Sequence, residues 1–324
     1  MTTAASEKID LLVYGPTKPV VDNGFSERFE RHKCETLAEV EQLAPDVARR
    51  IRGITHMRPA GAAVLSRFPQ LEIVSSFGVG YDHVDSAYAR EHGIIVTNTP
   101  DVLTEEVADT AMGLLIATLR EFVKADRYVR SGLWTTQDYP LTVGSLRDRK
   151  VGMVGMGRIG QAIARRLDAA KVPVAYHSRN PAAGVSHQHY PNLLDMAKAV
   201  DTLIVITPGG AATANLINAE VMKMLGPRGV IINLARGTVI DEPALIAALK
   251  SGTILAAGLD VFAKEPQVPD ELKAMQNVVL LPHIGSASLV TRNAMDQLVV
   301  DNLKAWFSGK PPLTPIAETP VKDR

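Results

Sequence analysis

The chain has 324 residues, 46% of them apolar and 5% aromatic, with 35 Lys+Arg balanced by 35 Asp+Glu. That composition belongs to an ordinary globular protein with length for about two domains; it excludes a disordered tail protein and offers no overall basic surface to neutralise nucleic-acid phosphates. The one cysteine, Cys34, cannot make an intrachain disulfide, the N-terminus lacks a secretory apolar region, and no apolar run reaches the ~18–20 residues of a membrane span, so a cytoplasmic chain with no membrane and no nucleic-acid partner is expected.

From the N-terminus, short Val/Ile/Leu runs bounded by Gly, Pro, Asn or Asp predict strands at 9–15, 34–37, 53–56, 71–77 and 94–97, with helical spacing between them. After Pro100, apolar or small residues at Val107, Ala111, Leu114, Leu115 and Thr118 predict one long helix over 104–129, suited to bridging two domains. A second series of strands follows at 151–155, 172–176, 203–207, 230–234, 254–260 and 278–281. Strands alternating with helices specify parallel sheets, and six such strands match a complete doubly wound nucleotide fold. The last helix, 291–307, carries apolar residues at Met295, Leu298, Val299, Leu303 and Trp306 and is expected to return to the first domain. The Pro-rich stretch 311–320 is expected to run extended over the surface. The predicted fold is thus α/β with two doubly wound parallel-sheet domains: a Rossmann nucleotide-binding domain, 101–287, inserted into a flavodoxin-like substrate domain formed by 1–100 and 288–324.

The strand at 151–155 leads into Gly155-Met156-Gly157-Arg158-Ile159-Gly160, which opens a helix over 158–169. In that context the glycines permit a tight turn and close backbone approach, while free N–H groups and the positive end of the helix dipole face a pyrophosphate. An NAD site normally places a carboxylate on the adenosine ribose at the end of the next strand. Here that strand ends Tyr176-His177-Ser178-Arg179-Asn180. With no acid to repel a 2′-phosphate, and with Ser178 and Arg179 as donors, NADP(H) is expected over NAD(H).

Ligands of open α/β sheets bind beyond the carboxyl ends of the strands, so the residues there carry the chemistry. They are Thr207-Pro208, then Leu234-Ala235-Arg236, then Asp260 followed by Glu265, then His283. Singly, Arg236 reads as a surface cation, Glu265 as a solvated loop acid and His283 as a core or capping histidine. Together they make a set for reducing a 2-oxo acid, since an arginine clamps a carboxylate through two parallel hydrogen bonds and a histidine held by a glutamate exchanges a proton near neutral pH.

The runs 155–160, 233–241, 258–266 and 280–286, with SSFGVGYDHVD at 75–85 and VTNTPDVLTEEVAD at 96–109, resemble the D-isomer-specific 2-hydroxyacid dehydrogenase family. Within it the Ser-Arg strand end is similar to NADPH-dependent hydroxypyruvate/glyoxylate and hydroxyphenylpyruvate reductases. The resemblance implies that Arg236 binds the substrate carboxylate, that His283 is the proton donor and that Glu265 orients it. It also implies that Asp260, Thr104 and Val107 stand near the nicotinamide and that the backbone N–H groups of Val79 and Gly80 bind substrate. A homodimer is implied as well, with Trp134 and Tyr139 either reaching the partner's cleft or anchoring the interface. The alternatives are a reductase of a larger 2-oxo acid, such as hydroxyphenylpyruvate or 2-ketogluconate, and a dinucleotide-sensing, corepressor-like binding protein. His177, His187 and His189 have Ser, Gln and Tyr as companions and no nearby carboxylate pair, so no metal site is expected there.

Overall fold

The computed structural model describes residues 8–16, 18–142 and 144–321. The chain divides into two compact units, Met1–Leu103 with Ser288–Arg324, and Thr104–Ala287. In chain order the first contains β1 (Ile9–Tyr14), α1 (Pro19–Gly24), β2 (Phe29–Cys34), α2 (Leu37–Glu41), α3 (Pro45–Arg50), β3 (Ile51–His56), α4 (Ala62–Leu65), β4 (Ile73–Ser76), α5 (Ser86–Glu91) and β5 (Ile95–Thr97). The five strands are all parallel in the order β2-β1-β3-β4-β5. Strands β1, β4 and β5 are buried along their whole length, as expected for a sheet covered on both faces.

The second unit contains α6 (Thr104–Leu119), α7 (Phe122–Arg130), β6 (Val151–Val154), α8 (Arg158–Ala169), β7 (Val174–His177), β8 (Gln188–Tyr190), α9 (Leu193–Ala199), β9 (Thr202–Val205), α10 (Ala219–Leu225), β10 (Val230–Asn233), α11 (Glu242–Ser251), β11 (Ala256–Leu259), α12 (Asp270–Ala274) and β12 (Val278–Leu280). Its seven parallel strands lie in the order β12-β11-β10-β9-β6-β7-β8. The chain reverses direction across the sheet between β6 and β9, and a doubly wound sheet opens a crevice at such a point. The chain then returns to the first unit as α13 (Leu289–Phe307), which buries Val299, Val300 and Leu303. No helix among the described residues is long and apolar enough to cross a membrane.

Four expectations need correction. The second strand is 29–34 rather than 34–37: it is an outer strand paired only with β1, so Glu30 to Lys33 are tolerated there, and Thr36 stops it by capping α2 through the Glu39 N–H. The single helix predicted over 104–129 breaks after Leu119. Glu121 stands there in the left-handed region (φ 51°), and α7 beyond it buries none of its residues. The nucleotide sheet has seven strands, because the polar outer strand β8 has no apolar run to announce it. The Pro-rich stretch does not simply cross the surface: Ile316 N–H donates to the Val96 carbonyl at 2.9 Å, the Val96 N–H donates to Thr319 Oγ1, and Ile316 and Thr319 are buried.

Candidate active site

Strand β6 delivers the chain to Gly155, whose φ of +107° lies where side chains are strained. A Cβ there would also stand 2.8 Å from the Ile206 carbonyl oxygen, which follows β9 across the switch point. Gly160 completes the turn, since a Cβ on it would approach the Gly155 carbonyl oxygen to 2.5 Å and lift α8 off the strand. The bare backbone and the N-terminus of α8 leave a cradle shaped for a pyrophosphate. Met156 is buried, its carbonyl held by the Gln161 side-chain amide at 3.2 Å; Gly157 caps α8, and Arg158 and Ile159 form its first turn.

At the end of β7, Ser178 Oγ donates to the Asn180 carbonyl at 2.6 Å, and Arg179 and Asn180 are exposed. After β9, Thr207 and Pro208 enter a turn in which Thr213 Oγ1 donates to the Pro208 carbonyl at 2.7 Å. After β10, the buried side chain of Asn233 folds the next residues into a tight turn: its Oδ1 accepts from the Ala235 N–H at 3.0 Å and its Nδ2 donates to the Arg236 carbonyl at 3.1 Å. Leu234 and Ala235 are buried, while Arg236 carries a guanidinium that donates to the Ala235 carbonyl at 2.9 Å. Asn233 is a residue that sequence reasoning passed over as part of the run; an Asn directly after a buried strand is the signal for such a turn.

The ends of β11 and β12 hold the titratable pair. Glu265 Oε2 stands 2.7 Å from His283 Nδ1, and Glu265 Oε1 accepts the Phe262 N–H at 3.0 Å. Burial works to raise the Glu265 pKa, but the His283 hydrogen bond, the Phe262 N–H and the charges of His283 and Arg236 outweigh it and hold the carboxyl below its ordinary range. With Nδ1 engaged on the carboxylate, Nε2 is the nitrogen left to pass a proton, and the His283 side chain is 49% exposed. His283 has φ 55°, a left-handed conformation that costs a non-glycine residue about 1 kcal/mol or more.

Asp260 holds that conformation. Its own carbonyl accepts the His283 N–H at 2.9 Å, and its carboxylate oxygens accept the Ile284 and Gly285 N–H groups at 2.7 and 2.8 Å. Burial raises the Asp260 pKa, and those two N–H groups and His283 oppose the rise. The sequence marked Asp260 only as a residue near the nicotinamide; its grip on the histidine loop links positions 24 and 25 residues apart, which no local pattern announces. Thr104 opens α6, and Val107 is buried one turn further on.

The structure therefore brings Glu265, His283 and Asp260 together in the second unit, with the Arg236 charge felt at Glu265. Val79 and Gly80 belong to the first unit. There the Val79 carbonyl accepts from Asn98 Nδ2 at 2.8 Å, and the Gly78 N–H donates to Thr99 Oγ1 at 3.0 Å. Of the three histidines in the 177–189 region, His187 pairs with Asp168 at 3.0 Å and the other two bond to backbone carbonyls.

Residues 112–285 match the family model for the NAD binding domain of D-isomer specific 2-hydroxyacid dehydrogenases. The chain is 45% identical over 312 residues to glyoxylate/hydroxypyruvate reductase A of Arabidopsis thaliana, covering 96% of this chain and 99% of that one. It is 43% identical, with the same coverage, to hydroxyphenylpyruvate reductase of Plectranthus scutellarioides. Among solved structures, the NADPH-dependent glyoxylate/hydroxypyruvate reductase of Sinorhizobium meliloti in complex with NADP and malonate superposes with a TM-score of 0.95 at 52% identity, over 98% of this chain and 99% of that one.

Proposed function

The chain belongs to the D-isomer specific 2-hydroxyacid dehydrogenase family, and we propose that within it this protein is an NADPH-preferring reductase of glyoxylate and hydroxypyruvate. One observation carries the reading: a histidine held by a glutamate at 2.7 Å, with an arginine charge beside them, at the carboxyl ends of neighbouring strands of a nucleotide-binding sheet. A glutamate that stays ionised at neutral pH is the partner an acid histidine needs.

A bound nicotinamide nucleotide supplies the hydride that goes to C2 of the 2-oxo acid. Arg236 binds the substrate carboxylate and polarises the oxo group, and its fixed charge stabilises the developing alkoxide. His283 gives the alkoxide its proton through Nε2, while Nδ1 stays on Glu265 and keeps the ring in orientation. To the backbone N–H groups of Val79 and Gly80 we assign further contacts to the substrate carboxylate, and to Thr104, Val107 and Asp260 the nicotinamide side, Asp260 acting through the loop it holds. The pyrophosphate is given to Gly155–Gly160, the 2′-phosphate to Ser178, Arg179 and Asn180, and the flanks of the nucleotide to Thr207, Pro208, Leu234 and Ala235.

Support for NADPH is the carboxylate-free end of β7 with Arg179 exposed at its tip, together with NADP in the Sinorhizobium meliloti neighbour. A cytoplasmic homodimer is part of the same reading. It draws support from the exposed apolar side chains Val129, Leu133, Trp134 and Leu141 in and after α7 and from the free, buried Cys34. The test is parallel NADPH and NADH oxidation with glyoxylate, hydroxypyruvate, hydroxyphenylpyruvate and 2-ketogluconate at saturating nucleotide. The kcat/KM ratios report differential transition-state binding. The two small acids with NADPH are expected to lead; no oxidation with any of the four acids, or higher kcat/KM with NADH, overturns the proposal.

A further inference from the structure

His177 and His189 face each other's strands at the outer edge of the nucleotide sheet. Their positions can be read from the hydrogen bonds around the end of β7. Strand β8 is three residues long and pairs only with β7, where the backbone register ends at His177 opposite Tyr190. Past that point side chains continue the ladder: His177 Nδ1 donates to the Tyr190 carbonyl at 2.9 Å, and His189 Nε2 donates to the Ser178 carbonyl at 3.0 Å. On the other side of the strand the Gly155 N–H donates to the His177 carbonyl at 3.0 Å.

Successive carbonyls along a strand point to opposite neighbours. The His177 carbonyl is thus tied to the glycine turn and the next one, of Ser178, to His189. The turn that follows is closed by Ser178 Oγ on the Asn180 carbonyl at 2.6 Å and by the Ala182 N–H on the Tyr176 hydroxyl at 3.0 Å. The Tyr176 ring also packs on His189, with centroids 5.0 Å apart. His189 therefore touches the turn twice, through its N–H and through the ring beneath it.

We propose that His189 is a positioning residue for the adenosine 2′-phosphate: by holding the Ser178 carbonyl it fixes the Ser178–Arg179 turn where a phosphate on the ribose is received, and so sets the preference for NADPH over NADH. The inference rests on the NADPH reading above. It deepens that reading by naming a residue whose loss is selective. The pyrophosphate cradle is anchored upstream of His189, at the bond between Gly155 and the His177 carbonyl, so it keeps its geometry when the Ser178 carbonyl is released. The contacts that loosen are those only a phosphorylated ribose makes, and charge-assisted hydrogen bonds depend steeply on geometry.

The experiment is a fluorescence titration of NADPH and of NADH into the full-length wild type, His189→Ala, His189→Gln and Arg179→Ala, with kcat at saturating NADPH alongside. His189→Ala is expected to weaken NADPH about tenfold, the value of one charge-assisted contact, with NADH affinity and kcat unchanged. His189→Gln, whose amide N–H reaches the same carbonyl, is expected to restore most of the loss, which a merely structural role would not produce. Arg179→Ala is expected to weaken NADPH selectively and at least as much. Equal weakening of both nucleotides in His189→Ala, or no weakening, beside a selective Arg179→Ala overturns the role of His189 alone. A wild type that binds the two nucleotides alike, with Arg179→Ala changing neither, overturns the NADPH reading and this inference with it.

Discussion

Replacing Gly237 by alanine tests the candidate catalytic geometry without touching any group that does chemistry. Gly237 follows Arg236 and begins a single 3-10 turn. A Cβ on it would meet the Phe262 carbonyl carbon and oxygen and the Ala263 nitrogen, all nearer than the 3.0 Å below which real Cβ contacts essentially do not occur. All three are backbone atoms, so no side chain can swing away. They are also tied down, the Phe262 N–H on Glu265 at 3.0 Å and the Ala263 N–H on Glu242 at 3.2 Å. Room for the methyl comes only by parting the Arg236 turn from the segment that leads to Glu265, by about 1 Å. A shift of that size costs ~100-fold in rate, or ~2.7 kcal/mol of barrier, and overpacking costs ~1–3 kcal/mol of stability. The assay is kcat/KM with glyoxylate and hydroxypyruvate, with NADPH affinity and thermal midpoint measured in parallel, and with Gly61→Ala as control because nothing lies within 4 Å of a Cβ there. NADPH affinity is expected to fall far less than kcat/KM, because the Gly155–Gly160 turn is not disturbed. A Gly237→Ala enzyme within about threefold of wild-type kcat/KM would refute the reasoning, since a shift under half the expected size is then all the site feels.

Three further outcomes follow from the same geometry. His283→Ala is expected to lower kcat by ~100- to 10,000-fold, the range for losing a positioned general acid, with NADPH affinity unchanged; turnover near wild type removes the proton-donor role. Asp260→Asn leaves one N–H donor of the 283–285 loop facing another donor, which costs ~1–3 kcal/mol, so kcat and the thermal midpoint are expected to fall together, and a variant with normal kcat shows that the loop does not need the carboxylate. His56 is fully buried, with Nδ1 donating to the Arg58 carbonyl at 2.8 Å, and burial and the neighbouring His83 push its pKa from 6.5 to about 3. The unfolded chain takes up this proton near 6.5 and the folded chain only near 3, so stability is intact above the first value and declines as pH falls towards the second. The slope is ~1.4 kcal/mol per unit, or ~3 kcal/mol by about pH 4.5. Denaturant unfolding at neutral and acid pH should show that loss in the wild type and a smaller one in His56→Asn; equal losses contradict it.

What the sequence discloses and what it hides divide along physical lines. Strands such as β1, β9 and β10 are buried throughout, so their composition is apolar and their positions are legible. Outer strands escape this rule: Gln188-His189-Tyr190 is held by a polar ladder, and the signal of β2 is lost in Glu30 to Lys33. The end of α6 is hidden for a related reason, since Phe122 and Val129 keep a helical apolar spacing although α7 buries none of its residues. In the site, Arg236, Glu265 and His283 are legible because strand ends of a parallel sheet are where ligands bind. Asn233 and Gly237 are not, and Asp260 is legible in place but not in its grip on the histidine loop, because what these residues do depends on atoms brought close by folding.

Asn233, Asp260 and His189 share one device. Three side chains proposed to meet a ligand are displayed from short turns whose backbone is held by another side chain: Arg236 by Asn233, His283 by Asp260 and Arg179 by His189. The holding group does the geometric work of fixing the turn. The cost is visible at Asp260, where burial disfavours the charge that the two N–H groups need. It is also visible at His283, kept in a left-handed conformation by its own N–H and those of the next two residues, all bonded to Asp260. A proton donor on a relaxed loop would spread over many orientations. Confined this way it presents one, and a site built for reaction gains more from that than from the stability it forgoes.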